Sequence, residues 1–285
     1  MKVTVVPEGP EVELVRRGLM TLCGKQVNRI SLTPLSQKYP KYAGKQAEFD
    51  SFTGQILVNI QRRGKFLLWI FEEGAVLNHL GMSGKWLCMG CLEENPEITH
   101  PKVVVEMIEP PHAVFDDVRN FGQFKKFPDL ETLLNHRPIR SLGVDFLDLP
   151  METYLEKLSL PRLANRPIGE VLLDQRIVAG IGNIYKSESL FEARVDPMRS
   201  VSHLTSAEKE LLGKAITKVT NKALEFGGST FGSQAYMQPN MQIGEAQKWH
   251  AVYAREGKPC ERCNTPIKKQ VQKDRSTFYC PSCQK

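Results

Sequence analysis

No stretch of this 285-residue sequence approaches the roughly 20 consecutive apolar residues that span a bilayer, and the six residues before Pro7 are too short for a secretory leader. Internal repeats and low-complexity tracts are also lacking. Charge of one sign does not dominate: 38 Lys and Arg face 32 Asp and Glu, a net +6. These absences exclude a helical membrane protein and a disordered polyelectrolyte, and they place the chain in the cytoplasm. Cysteine is sparse, at seven. Four of the seven follow a spacing that argues against a secreted disulfide framework.

That spacing is Cys260-x2-Cys263-x16-Cys280-x2-Cys283. Each C-x2-C turn presents two sulfurs to one tetrahedral ion, and the residues between can form a hairpin. A zinc ribbon with one structural Zn2+ follows, because four protein ligands leave no open position for water. The segment also concentrates positive charge: Lys258, Arg262, Lys268, Lys269, Lys273, Arg275 and Lys285 stand against only Glu261 and Asp274. A polyanion contact is to be sought there. Arg275 falls in the expected hairpin, where it could grip a phosphate; read alone, it is equally a solvated charge. Cys23 reads as buried filler after the first helix. Cys88 and Cys91 form a second C-x2-C with His100 and His112 nearby, open to a metal site, a redox pair or incidental thiols at a strand end, the last favoured.

Along the chain, Val12, Val15, Leu19 and Leu22 recur at helical spacing, with Pro10 suited to a first turn, Glu11 and Glu13 to the positive end of the dipole, and Gly24 as a stop. Short β-rich runs follow at 27–32, 55–61, 65–71, 75–80, 102–108 and 113–116, with Pro34–Ala47 loop-like. Prolines at 128, 138, 150 and 161 punctuate a passage with a helix over 151–158. Helical pattern returns over 168–173, 183–193 and 206–226, the last capped by Ser206 and stopped by Gly227-Gly228. Residues 227–244, rich in Gly, Ser and Gln, read as a mobile loop able to close over a ligand. The fold class is therefore α+β: an N-terminal β-sandwich with a flanking helix, then a helical domain and a zinc-ribbon finger.

Three stretches carry a resemblance. Pro7-Glu8-Gly9-Pro10-Glu11-Val12-Glu13 resembles the start of the formamidopyrimidine-DNA glycosylase (Fpg)/endonuclease VIII family. Residues 257–284 resemble that family's zinc finger almost position by position. Leu173-Asp174-Gln175 through Val178-Ala179-Gly180-Ile181-Gly182-Asn183-Ile184-Tyr185 and on to Phe191 resembles its helix-two-turns-helix. Physically, glycines before Asn183 permit a tight turn into a helix N-terminus whose N–H groups suit a phosphate, although a turn between packed helices reads the same way.

The resemblance implies roles residue by residue. Pro7 is the nucleophile and Glu8 the acid, with Lys65 and Arg275 supporting catalysis. Asn183, His100, Lys65 and Arg275 hold phosphates. Met82, Arg119 and Phe121 fill the gap left by an extruded nucleotide, as a thioether, a guanidinium and a ring can. Those void-filling positions bring the pattern nearer Fpg than endonuclease VIII, while Gly9, Asn120 and Gly169 depart from common Fpg choices. The implied domains are a prefix at 1–6, a catalytic β-sandwich at 7–135, a linker region at 136–165, the helix-two-turns-helix domain with a lesion loop at 166–245, and the finger at 246–285.

The implied function is base excision repair by a bifunctional DNA glycosylase and AP lyase that removes oxidised purines such as 8-oxoguanine and formamidopyrimidines. The expected partner is damaged double-stranded DNA, bound by a monomer of bacterial type at the nucleoid. Alternatives are an endonuclease VIII-type enzyme for oxidised pyrimidines, and a lesion-binding protein without chemistry. The last arises because a proline inside a chain is an amide, whereas a terminal proline is a free amine. Val6 offers a resolution: a GTG start codon there, followed by removal of formyl-methionine, leaves Pro7 at the terminus.

Overall fold

The computed structural model describes residues 6–39, 46–92, 95–229 and 237–285. They divide into two compact units. One is built from Glu11–Arg140 with Gly227–Glu245, the other from Glu8–Pro10, Ser141–Phe226 and Ala246–Lys285.

The first unit is a sandwich of two antiparallel sheets. In one, β1 (Val27–Leu32), β6 (Pro101–Met107), β7 (His112–Asp116) and β5 (Lys85–Met89) lie in that order; in the other, β2 (Leu57–Arg63), β3 (Phe66–Phe71), β4 (Ala75–His79) and β8 (Gln123–Phe127). Their inner faces meet on aromatic rings. Trp69 and Trp86 have centroids 4.8 Å apart, and Phe115 and Phe124 close around Trp86 at 5.1 and 5.9 Å. The indole N–H of Trp86 donates to Asn78 Oδ1 at 2.9 Å, and the Asn78 amide donates in turn to the Gln123 carbonyl at 2.8 Å, so the one polar group of the ring is satisfied inside the core. Helix α1 (Gly9–Leu19) contributes Val12, Val15 and Leu19 as buried residues, followed by a turn of 3-10 helix through Leu22 before Gly24 at φ +81°.

Two strands lie outside the β-rich runs read from the sequence: β5, of which only the end at Cys88 was read as strand, and β8. Their sequences, KWLCM and QFKKF, carry lysines that hide the alternation, yet Trp86, Leu87, Phe124 and Phe127 are buried. The segment expected as loop contains two short helices. In α2 (Pro34–Gln37) Pro34 sits in the first turn and the Thr33 side chain accepts the Ser36 N–H; α3 is Gln46–Asp50. The proline-rich passage holds α4 (Leu130–Asn135), capped by Asp129, and α5 (Arg137–Arg140).

In the second unit, β9 (Val144–Asp145) pairs in parallel with β10 (Val178–Ala179). Helix α6 is Met151–Leu158, as its spacing predicts. The remaining helices are α7 (Ile168–Val171), α8 (Asn183–Glu192) and α9 (Ser206–Glu225), and the chain ends in the hairpin β11 (Lys268–Gln272) and β12 (Arg275–Tyr279). The cap of α9 is Thr205, not Ser206. Its hydroxyl accepts the Glu208 N–H while Glu208 reaches back to the Thr205 N–H, a capping box one residue earlier than expected. Gly227–Glu245, expected with the helical domain, packs in the first unit, and 141–165 folds with the second. Among the described residues no helix is long and apolar enough to cross a membrane.

Asn78→Leu strands the Trp86 N–H in the core. We expect a loss of about 1–3 kcal/mol, seen as a lower urea midpoint at unchanged slope.

Candidate functional site

The second unit gathers its polar groups at the start of α8. Gly182 is the residue before the helix, and a Cβ there would lie 2.3 Å from Glu8 Cδ. The Glu8 carboxylate occupies the space that a side chain would take. It accepts the N–H groups of Gly182 (3.0 Å), Ile184 (2.9 Å) and Tyr185 (3.3 Å), and the residue is only 4% exposed. An acid far away in sequence thus caps the helix where orphan N–H groups and the dipole both favour negative charge. Gly9 is required by the same packing: its N–H donates to the Gly180 carbonyl at 2.8 Å, and a Cβ would meet the Phe146 ring at 2.3 Å.

One residue into the helix, Asn183 donates from Nδ2 to the Ser276 carbonyl of β12 at 2.6 Å. Three residues to which the sequence assigned no role, two of them against Asn183 and one further along α8, complete the cluster. Lys186, fully buried, donates from Nζ to Asn183 Oδ1 and to Thr277 Oγ1, both at 2.7 Å. Tyr253 hydrogen-bonds Asn183, and burial pushes its phenol up to about 12. The Glu188 carboxylate accepts the N–H groups of Ala251, Val252 and Tyr253 at 2.8, 3.0 and 2.7 Å, with burial pushing its pKa upward. The available signal was two charged residues, Lys186 and Glu188, in a helix whose positions 184–191 are all buried.

The finger is built for its metal. Cys260 and Cys283 sulfurs lie 3.9 Å apart and those of Cys263 and Cys280 3.5 Å, with all four within 4.8 Å of one another. A tetrahedral zinc with bonds of about 2.3 Å needs sulfurs about 3.8 Å apart. The backbone N–H groups of Arg262 and Cys283 point at Cys260 and Cys280 sulfur, as thiolate ligands require. The turn Lys273-Asp274, both residues at positive φ, delivers Arg275 exposed at the head of β12. Among the described residues this is the only group of three or more His, Cys, Asp or Glu placed to share a metal. Cys88 lies on β5, where burial pushes its thiol up to about 11; Cys91 lies beyond the strand.

In the first unit, the loops carrying Met82 and Arg119-Asn120-Phe121 are packed together, since a Cβ on Gly81 would sit 2.4 Å from the Phe121 carbonyl carbon. The Arg119 guanidinium stands 5.5 Å from the Phe121 ring, which is 44% exposed. Asp117, which heads the Arg119-Asn120-Phe121 loop and had no assigned role, ties the loops: its carboxylate accepts from the Ser83 hydroxyl (2.7 Å) and the Gly122 N–H (2.7 Å). Asn120 adopts φ 59°, a conformation asparagine tolerates better than most residues. Lys65 completes the β2–β3 turn, His100 precedes β6, and Pro7 is buried next to Glu8 in sequence.

The acids of α1 do more than face a dipole. Glu11 accepts the Ser229 N–H at 2.8 Å, fixing one end of the segment expected to be a mobile loop, whose residues 230–236 lie outside the described ones. Glu13 binds Arg16, Arg17 and Arg62; burial would raise its pKa, but the arginines outweigh it and hold the carboxyl below the usual range.

A tight glycine turn into the start of α8 and a basic zinc hairpin in one unit are the equipment of a nucleic-acid-binding protein. Comparison with known proteins is specific. The chain matches the formamidopyrimidine-DNA glycosylase N-terminal domain over residues 6–124, the formamidopyrimidine-DNA glycosylase H2TH domain over 143–235, and the zinc finger found in FPG and IleRS over 257–285. It is 36% identical to the formamidopyrimidine-DNA glycosylase of Bacillus anthracis over 284 residues, covering 98% of this chain and 99% of that one. The crystal structure of the MutM (Fpg) protein of Thermus thermophilus superposes with a TM-score of 0.83 at 35% identity, covering 98% of both chains. Lactococcus lactis Fpg in complex with DNA containing an abasic site gives 0.84 at 29% identity over 98% and 99%. The chain belongs to the formamidopyrimidine-DNA glycosylase family, and its finger holds one structural zinc ion.

Two outcomes follow from this geometry. Chelation releases one zinc per chain, read with a chromogenic indicator, and abolishes binding to duplex DNA. Gly182→Ala expels the Glu8 carboxylate from the helix end, lowering base excision by at least about tenfold while circular dichroism stays unchanged.

Proposed function

We propose that this protein is a bifunctional DNA glycosylase and AP lyase that removes oxidised purines, among them 8-oxoguanine and formamidopyrimidines, from duplex DNA. DNA glycosylase activity in base excision repair belongs to it as a member of the family; the lyase step and the lesion range are the parts we infer. The observation that carries the reading is Glu8, a buried carboxylate seated on three backbone N–H groups and joined directly to Pro7.

In the proposed reaction the secondary amine of Pro7 attacks C1′ of an extruded nucleotide, and the bond from C1′ to the base nitrogen breaks as the base leaves with the electron pair. Glu8 takes up the proton that the Pro7 nitrogen sheds on bonding to C1′ and passes it to the sugar ring oxygen, so the bond from C1′ to that oxygen breaks, the ring opens and an iminium forms, while the departing base takes its proton from water. The iminium makes a C2′ proton acidic; its loss expels the 3′ phosphate, and a further elimination expels the 5′ phosphate. Lys65, His100, Asn183 and Arg275 hold the phosphates, while Met82, Arg119 and Phe121 occupy the vacated stack. Arg275 stands exposed at its hairpin and Phe121 beside Arg119, in keeping with these roles. The chemistry requires Pro7 at the mature terminus, which initiation at Val6 provides. We place the enzyme as a monomer in the bacterial cytoplasm, on nucleoid DNA.

Protein made from the natural gene should have an intact mass that begins at Pro7, and borohydride should trap it covalently on an 8-oxoguanine duplex. A mass retaining residues 1–6 together with no adduct would leave a lesion-binding protein without chemistry. Glu8→Gln should slow excision by about 10²–10⁴-fold. A panel of oxidised purines and pyrimidines, compared by kcat/KM, separates the Fpg-type from the endonuclease VIII-type preference.

A further inference from the structure

Lys186 has no place in the reaction just described, yet it is the one fully buried ammonium in the second unit's polar cluster, with 0% exposure. Its surroundings have a fixed direction of hydrogen bonding. The Thr277 hydroxyl donates its proton to Gln272 Oε1 at 2.9 Å, and Gln272 Nε2 donates to the Pro197 carbonyl at 3.1 Å. The Thr277 oxygen therefore presents a lone pair to Lys186 Nζ. On the other side Nζ meets Asn183 at 2.7 Å, and an ammonium, having donors alone, requires the amide oxygen there. Asn183 Nδ2 is thereby turned toward the Ser276 carbonyl as a donor. Room for the far end of this chain comes from Gly169, where a Cβ would lie 2.4 Å from Gln272 Oε1 and 3.0 Å from the Pro197 ring.

We propose that Lys186 is a positioning residue for DNA binding: it locks the Asn183 amide with its N–H2 end toward the DNA backbone, so that a phosphate oxygen can replace the Ser276 carbonyl as acceptor. This rests on the reading of Asn183 as a phosphate contact. Both the carbonyl and the phosphate accept, so the exchange needs no rotation of the side chain. A flipped amide would present oxygen to the phosphate and repel it.

The lock depends on protonation. Burial pushes Lys186 down to about 7, the Glu8 charge opposing this and the Arg275 charge adding to it. The groups facing this network are Glu8 before α8, Arg275 on β12 and Tyr253 between α9 and the finger; Glu188, further along α8, is turned to the 251–253 backbone. Neutral lysine carries a lone pair and can accept as well as donate, which frees the amide to flip. A phosphate near Asn183 raises the lysine pKa, so DNA binding takes up a proton. Affinity then falls as pH rises through the free-protein value toward the bound one.

The test is binding of the full-length protein to a duplex bearing a tetrahydrofuran abasic analogue. Calorimetry at pH 8 in buffers of different ionisation enthalpy counts the protons taken up. Wild type should take up a substantial fraction of a proton, and its affinity should fall about tenfold between pH 6.5 and 8.5 beyond the fall seen in the variants. Lys186→Met should bind roughly ten- to a hundredfold more weakly at pH 6.5. Lys186→Arg, permanently charged, should restore most of that affinity without the proton uptake, a result that loss of packing alone would not give. Thr277→Val, which keeps shape but removes one acceptor, guards against a Lys186→Met protein that fails to fold; it should alter the proton count with the fold intact. Equal proton uptake in wild type and Lys186→Arg overturns the proposal. Asn183→Ala run alongside separates the two readings: if it binds like wild type with the same salt slope, the phosphate contact itself is wrong, whereas if it weakens binding and the Lys186 variants match wild type, the lock alone falls.

Discussion

The second unit depends on one buried carboxylate. Glu8 takes three N–H groups that α8 cannot satisfy internally, and everything near the helix start is arranged around that fact: Gly182 without a side chain, Gly9 against Phe146, and Asn183 free to turn its amide toward β12. A buried acid is costly unless its oxygens are fully engaged.

The finger and the helical region share a second polar seam. Lys186, Thr277, Gln272 and Asn183 link α8 to the zinc hairpin through side chains rather than an apolar interface alone. Hydrogen bonds fix angle and register more narrowly than apolar contact does, so the hairpin that carries Arg275 is held in a set orientation on α8. The zinc holds the hairpin together; the seam aims it.

In the first unit the corresponding organisers are Asp117 and Glu11. Asp117 joins the loops that carry Met82, Arg119 and Phe121, and Glu11 secures Ser229 where the segment after α9 begins. The exposed Phe121 ring stands beside the Arg119 guanidinium on a loop that Asp117 ties down.

Much of this was legible in the residues themselves. The four cysteines fixed a tetrahedral site by spacing, since two C-x2-C turns can close on one ion without knowledge of the rest of the fold. The apolar periods of α1, α6, α8 and α9 and most strands of the sandwich could be read because local burial imposes a local pattern. By contrast, lysines among their apolar residues hid the alternation of β5 and β8, and the α9 cap was displaced by one residue because Thr205, not Ser206, has Glu208 three positions on. The partners of Lys186, Glu188, Asp117 and Glu11 were hidden for one reason. Each is defined by a hydrogen bond to a residue tens or hundreds of positions away, and no local period records such a pairing. Sequence alone determined which chemical groups are present and which of them share a turn; only the tertiary structure decided which buried charges meet, because desolvation makes a charge's meaning depend on its neighbours in space.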